Sequence, residues 1–108
     1  MSKKVFWISF DLGIKGDYDS LFTWLDKLEA LECGSHMAAV VYEYTGEFLE
    51  VLKKDIEENV ETNRRTRIYI AFKDESTKKL RGRFLFGNRK SPKWAGYYRD
   101  PDQDEIEL

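Results

Sequence analysis

Between Lys78 and Arg99 the chain carries eight basic residues and no acidic one, with Phe84, Phe86, Trp94, Tyr97 and Tyr98 set among them. Cations neutralise phosphates and aromatic planes stack on bases, so this mixture suits a nucleic-acid backbone with exposed bases. The overall balance hides it, because 18 Lys+Arg stand against 20 Asp+Glu for a formal net charge of −2. Residues 1–77 hold ten basic and fifteen acidic residues, and residues 100–108 hold five acidic and none basic. Arg64 and Arg65, with Arg67 close by, extend the positive zone toward Arg81, Arg83, Arg89, Lys90 and Lys93. RNA or DNA is the implied partner, with Trp94 or Tyr97 stacking. The same residues also fit a solvated hairpin over core phenylalanines, and the pI near 5.5 is low for a dedicated nucleic-acid binder.

The other groups able to do chemistry lie nearer the N-terminus. Asp11, Asp17 and Asp19 are hard oxygen donors of the kind Mg²⁺ uses together with waters and substrate phosphates. Asp17 and Asp19 equally suit the capping of a helix. Cys33 and His36 stand three apart, but they are the only cysteine and histidine and cannot complete a tetrahedral zinc site. Gly13 and Gly16 bound a loop without the lysine–serine ending of a phosphate-binding loop, so a plain turn is expected. A single cysteine excludes an intrachain disulfide. The apolar run Val5–Phe10 is six residues long and stops at Asp11, too short for a secretory apolar region or a membrane span. A cytoplasmic protein is expected.

The elements that position these groups follow from periodicity. With 108 residues, 42% hydrophobic, the chain suits one α+β domain over residues 1–99, followed by an acidic flexible tail at 100–108. That tail is expected to fray; being opposite in sign to the 78–99 zone, it could also fold back and mask that zone until a partner displaces it. Val5–Phe10 reads as a strand buried on both faces. Leu21, Leu25 and Leu28 give a helix with Phe22 beside them. A short strand at 31–33 leads through Gly34 and Ser35 into a strand at Met37–Tyr44. Thr45 caps a second helix with Phe48, Leu49, Leu52 and Ile56 on one face, ending near Asn59. Thr66–Phe72 is a further strand, and Arg83–Phe86 with Trp94–Tyr98 forms an added C-terminal β-hairpin. The predicted architecture is a ferredoxin-like βαββαβ sandwich with that hairpin appended.

The strand Ile8-Ser-Phe-Asp-Leu12 ending in Asp, followed by helix, strand, helix and a strand like Arg67-Ile-Tyr-Ile70, resembles two related ferredoxin-like groups. These are the small CRISPR-associated nuclease and adaptor proteins and the VapD-like endoribonucleases, and the resemblance covers roughly residues 4–73. It implies a homodimer in which the Asp closing strand 1, here Asp11, lies near the twofold and holds a divalent metal such as Mg²⁺ for phosphodiester hydrolysis. The expected function is thus nucleic-acid association, with a metal-dependent endoribonuclease as its catalytic form. A binding module without chemistry, or an antitoxin-like or phage regulatory module docking on protein, is the alternative.

Overall fold

Alternation along the first strand decides the architecture. A computed structural model of the chain describes residues 1–99; the acidic tail at 100–108 lies outside the described residues. In β1 (Ser2–Asp11), Phe6, Ile8 and Phe10 are buried while Val5, Trp7 and Ser9 are exposed. The expectation of a strand covered on both faces therefore fails, because both helices pack on one side only. The remaining elements are α1 (Tyr18–Lys27), β2 (Leu31–Glu32), β3 (Met37–Tyr44), α2 (Phe48–Asn59), β4 (Arg67–Asp74) and β5 (Lys79–Phe86). They build an α+β fold with one five-stranded antiparallel sheet in the order β2-β3-β1-β4-β5.

The helices form as their sequences dictate. Asp17 caps α1, its carboxylate accepting from the Ser20 N–H at 3.2 Å. Leu21, Trp24 and Leu25 of α1 and Phe48, Leu52 and Ile56 of α2 then bury one stripe each against the sheet. The cap of α2 is Glu47 rather than Thr45. Gly46 at φ +109° turns the chain first, so the helix opens later and the Glu47 carboxylate meets the Glu50 N–H at 2.7 Å.

Asp55, on α2, binds the helical layer to the sheet. Its carboxylate accepts from the Tyr42 hydroxyl of β3 at 2.7 Å, from Trp24 Nε1 of α1 at 3.3 Å and from Asn59 Nδ2 at 2.9 Å. One side chain thus satisfies polar tips on three elements, where an unmet buried donor would cost stability. Burial, followed by the Asp55 contact, pushes the Tyr42 hydroxyl well above the ordinary tyrosine range.

The C-terminal region differs from expectation. β5 begins at Lys79, pairs with β4 from Lys79↔Asp74 to Phe86↔Ile68, and occupies the sheet edge. Trp94–Tyr98 adds no strand: Ala95 N–H donates to the Pro92 carbonyl and Tyr97 N–H to the Trp94 carbonyl, closing a turn with Gly96 at φ +83°. Pro92 has no N–H for a ladder, and a positive φ at Gly96 breaks extension. A β-bulge between Ile68 and Tyr69 also divides the two phenylalanines. Phe84 shares the open face with Tyr69, while Phe86 reaches the helical side, where Lys53 Nζ lies 5.6 Å from its ring.

Candidate functional site

The open face of the sheet divides into two halves of different chemistry. Toward β2, Val5, Trp7, Leu31, Met37 and Val41 make an apolar half whose residues are exposed, with Val41 55% accessible. A groove of about 640 Å³ runs along it, rimmed by Lys3, Lys27, Glu29 and Glu43. Toward β5, the surface becomes cationic and aromatic. Ser9, Asp11, Arg67, Tyr69, Phe84 and Arg89 line a cleft of about 340 Å³.

Local structure explains how these six residues meet. The period of two along β1 puts Ser9 and Asp11 on the open face. Antiparallel pairing then sets Ser9 opposite Tyr69 and Asp11 opposite Arg67, and across the bulge Tyr69 stands beside Phe84. The Tyr69 and Phe84 rings meet edge to face, centroids 4.9 Å apart at 72°. Two glycines make the arrangement possible. At Gly82 a Cβ would lie 1.9 Å from Tyr69 Oη, so the tyrosine ring occupies the space a side chain would fill. At Gly87, φ +78° turns the chain back over β4, and a Cβ there would come within 2.8 Å of Arg67 Cγ and the Thr66 carbonyl.

That turn brings cations onto the rings. Asn88 offers its carbonyl to Arg67 Nε at 3.2 Å. The Arg67 guanidinium lies 5.4 Å from the Phe84 centroid, and that of Arg89 lies 5.6 Å from Phe84 and 5.9 Å from Tyr69. All three distances fall within the range of cation–π attraction. A guanidinium stacked this way keeps N–H groups on its edge for an anion.

The expected site residues separate into distinct places. Asp11 and Arg89 enter the cleft. Arg64 and Arg65 line a separate groove with Lys15, between the β1–α1 loop and the loop before β4. Arg81 pairs with Asp74 at 2.9 Å across the β4–β5 hairpin. Hydrogen bonds from Ser76, then Arg81, hold the Asp74 carboxyl down to about 2. Arg83 stands opposite Ile70 on the edge strand. Lys90, Lys93, Trp94 and Tyr97 are exposed on the segment after β5, Trp94 at 75%. Arg67 belongs to the positive zone read from the sequence, while Tyr69 and Ser9 are site residues that charge and motif do not mark. The alternation of Arg67 and Tyr69 along β4 is visible in the sequence, but their register opposite Asp11 and Ser9 comes from strand pairing.

The acidic residues are placed for structure and for a single carboxylate at the cleft. Asp17 is engaged twice, its other carboxylate oxygen accepting from the Glu61 N–H at 2.9 Å. That bond, with the Ser20 bonds, holds its carboxyl below the usual value. Asp19 sits in the first turn of α1. The Asp11 carboxylate accepts from the Gly13 N–H at 3.0 Å and has two arginines as cleft neighbours. Among the described residues no three His, Cys, Asp or Glu side chains gather. One carboxylate beside two fixed cations does not fit Mg²⁺ within a single chain; the cleft is better matched to an anion. Cys33 and His36 are both exposed. The Gly13–Gly16 loop closes as a turn, Gly16 N–H to the Gly13 carbonyl at 3.2 Å. No helix among the described residues is long and apolar enough to cross a membrane. Comparison with protein-family models, curated proteins and solved structures found no match.

Proposed function

We propose that this protein is a single-stranded nucleic-acid-binding domain of ferredoxin-like architecture, working as a cytoplasmic homodimer. The observation that carries the reading is the Tyr69–Phe84 ring pair flanked by the Arg67 and Arg89 guanidiniums on an uncovered sheet face. Stacking rings with adjacent cations accept any base and its phosphate. Duplex is a poorer fit, because its bases are already stacked on one another. Lys90 and Lys93 follow β5 and extend the positive track, whereas Arg83, paired with the buried Ile70, belongs to the helical side of the sheet. The order β4-β1-β3-β2 within the sheet supports the ferredoxin-like arrangement, with β5 added at the β4 edge. The apolar half supports the dimer, since its rim carries Lys27 and Glu29, charges able to pair across a twofold, beside the Lys3–Glu43 pair at 3.7 Å.

The test is binding of fluorescent single-stranded RNA, single-stranded DNA and duplex at several salt concentrations, with and without Mg²⁺. Single strands should bind more tightly than duplex, and affinity should fall steeply with salt. Arg67→Ala and Arg89→Ala should each flatten the slope of log K against log salt by about 1. Absence of binding at low salt would overturn the reading. The endoribonuclease reading rests on the position of Asp11 at the end of β1, beside the arginines that would hold a phosphate. Oligonucleotide recovered shortened only in Mg²⁺, and intact with Asp11→Ala, would establish it.

A further inference from the structure

Binding a strand by stacking and phosphate contacts requires no carboxylate, and a negative group beside two arginines weakens their pull on phosphate. Asp11 nonetheless opens into the same cleft as Arg67, Tyr69, Phe84 and Arg89. Its carboxylate is held by only one hydrogen bond among those described, to the Gly13 N–H through Oδ1. A site with an aromatic floor, guanidinium donors and one carboxylate acceptor is chemically selective. Each base presents different groups on its edges. Guanine offers two acceptors, O6 and N7, on one edge and two donors, the N1–H and the exocyclic amine, on another. Arginine is the natural partner of the first edge and a carboxylate of the second. Adenine and cytosine bring a single donor amine, and uracil a single ring N–H.

We infer that the Asp11–Arg67–Tyr69–Phe84–Arg89 cleft is a specificity subsite for one unpaired guanine nucleotide, with Asp11 reading its donor edge. The inference rests on the strand-binding reading above. Because the two rings stand at 72° to each other, the base stacks on one of them, Tyr69 or Phe84, which fixes its plane, and an arginine takes the acceptor edge or the adjoining phosphate. The cleft, about 340 Å³, is large enough to hold a purine base.

The experiment compares an all-uridine ten-nucleotide RNA with the same strand carrying one central guanosine, and with inosine in that place. Guanosine should tighten binding about tenfold over uridine, the discrimination expected of one bidentate base contact. Inosine, lacking the exocyclic amine, should lose a large part of that gain. Asp11→Asn, which replaces the second acceptor oxygen by a donor, should bring the guanosine-to-uridine ratio close to one. Asp11→Glu, keeping the carboxylate, should retain a preference. Equal affinity for the guanosine and uridine strands, with binding still salt-sensitive, would overturn the guanine inference and leave strand binding intact. A guanosine preference unchanged in Asp11→Asn would also overturn it. No binding of either strand would remove both.

Discussion

Gly82→Ala isolates the aromatic floor of the cleft with the addition of one methyl group. The new Cβ would lie 1.9 Å from Tyr69 Oη, 2.6 Å from Cζ and 2.9 Å from Cε2. Ordinary contact begins near 3.4 Å, so the ring must swing by roughly 1.5 Å and abandon its edge-to-face contact with Phe84. The backbone at Gly82 has no positive φ, so alanine itself is accommodated and removes the entropic penalty of glycine in a strand, about 0.5–1 kcal/mol. Tyr69 lies on an open face, so its displacement costs little packing. Folding stability should consequently stay within about 1 kcal/mol of the parent. Binding should change far more, because stacking contributes roughly 1–3 kcal/mol per base. Loss of even the lower part of that range weakens single-stranded RNA binding about 5- to 20-fold. The assay is fluorescence anisotropy at fixed salt on the parent, Gly82→Ala, Tyr69→Ala and the double variant, with thermal melts alongside. With Tyr69 already removed, the added methyl group has no ring to displace, so the double variant should bind like Tyr69→Ala. Parent-like binding by Gly82→Ala, or simple addition of the two effects, would refute the reasoning.

Asp55→Ala should lower the melting temperature by roughly 15 °C, since it strands the Tyr42 hydroxyl and the Trp24 N–H, both on residues only 4% exposed, at a combined cost of about 3 kcal/mol. A melt within 3 °C of the parent would show that the hub carries no such role. Raised in the folded state above its unfolded value near 10, the Tyr42 hydroxyl contributes stability that is full below pH 10 and lost as the unfolded chain ionises above it. The stability of the parent relative to Tyr42→Phe should therefore shrink between pH 9 and 11 in urea titrations, and a constant difference would contradict this. Val41→Glu, which places a charge in the middle of the apolar half, should convert a dimer to monomer by sedimentation velocity. A parent chain monomeric at ~50 μM would dispose of the dimer reading.

The alternation and the helical spacing made most of the elements legible. Asp17 as a cap, the α2 face of Phe48, Leu52 and Ile56, and the two-residue β2 all stand where local chemistry puts them. These depend on near neighbours, whose hydrogen bonds and apolar periodicity are written directly in the chain. The charge zones were equally visible, but not their uses. Arg81 belongs to Asp74, Arg64 and Arg65 to another groove, and Arg67 to Phe84, because each outcome depends on which strand lies beside which.

The number of faces β1 buries was equally beyond local reading: Val5, Trp7 and Ser9 differ from Phe6, Ile8 and Phe10 only once both helices pack on the same side. The fate of Phe84 and Phe86 turned on a single bulge that reverses the period of two between them. Local sequence thus determined the helices, most of the strands, the cap of α1 and the basic segment, since those rest on interactions within a few residues. Only the tertiary structure decided that Asp11, Arg67, Tyr69, Phe84 and Arg89 share a cleft, because register, the bulge and the space left at Gly82 and Gly87 arise from pairing between residues far apart in the chain.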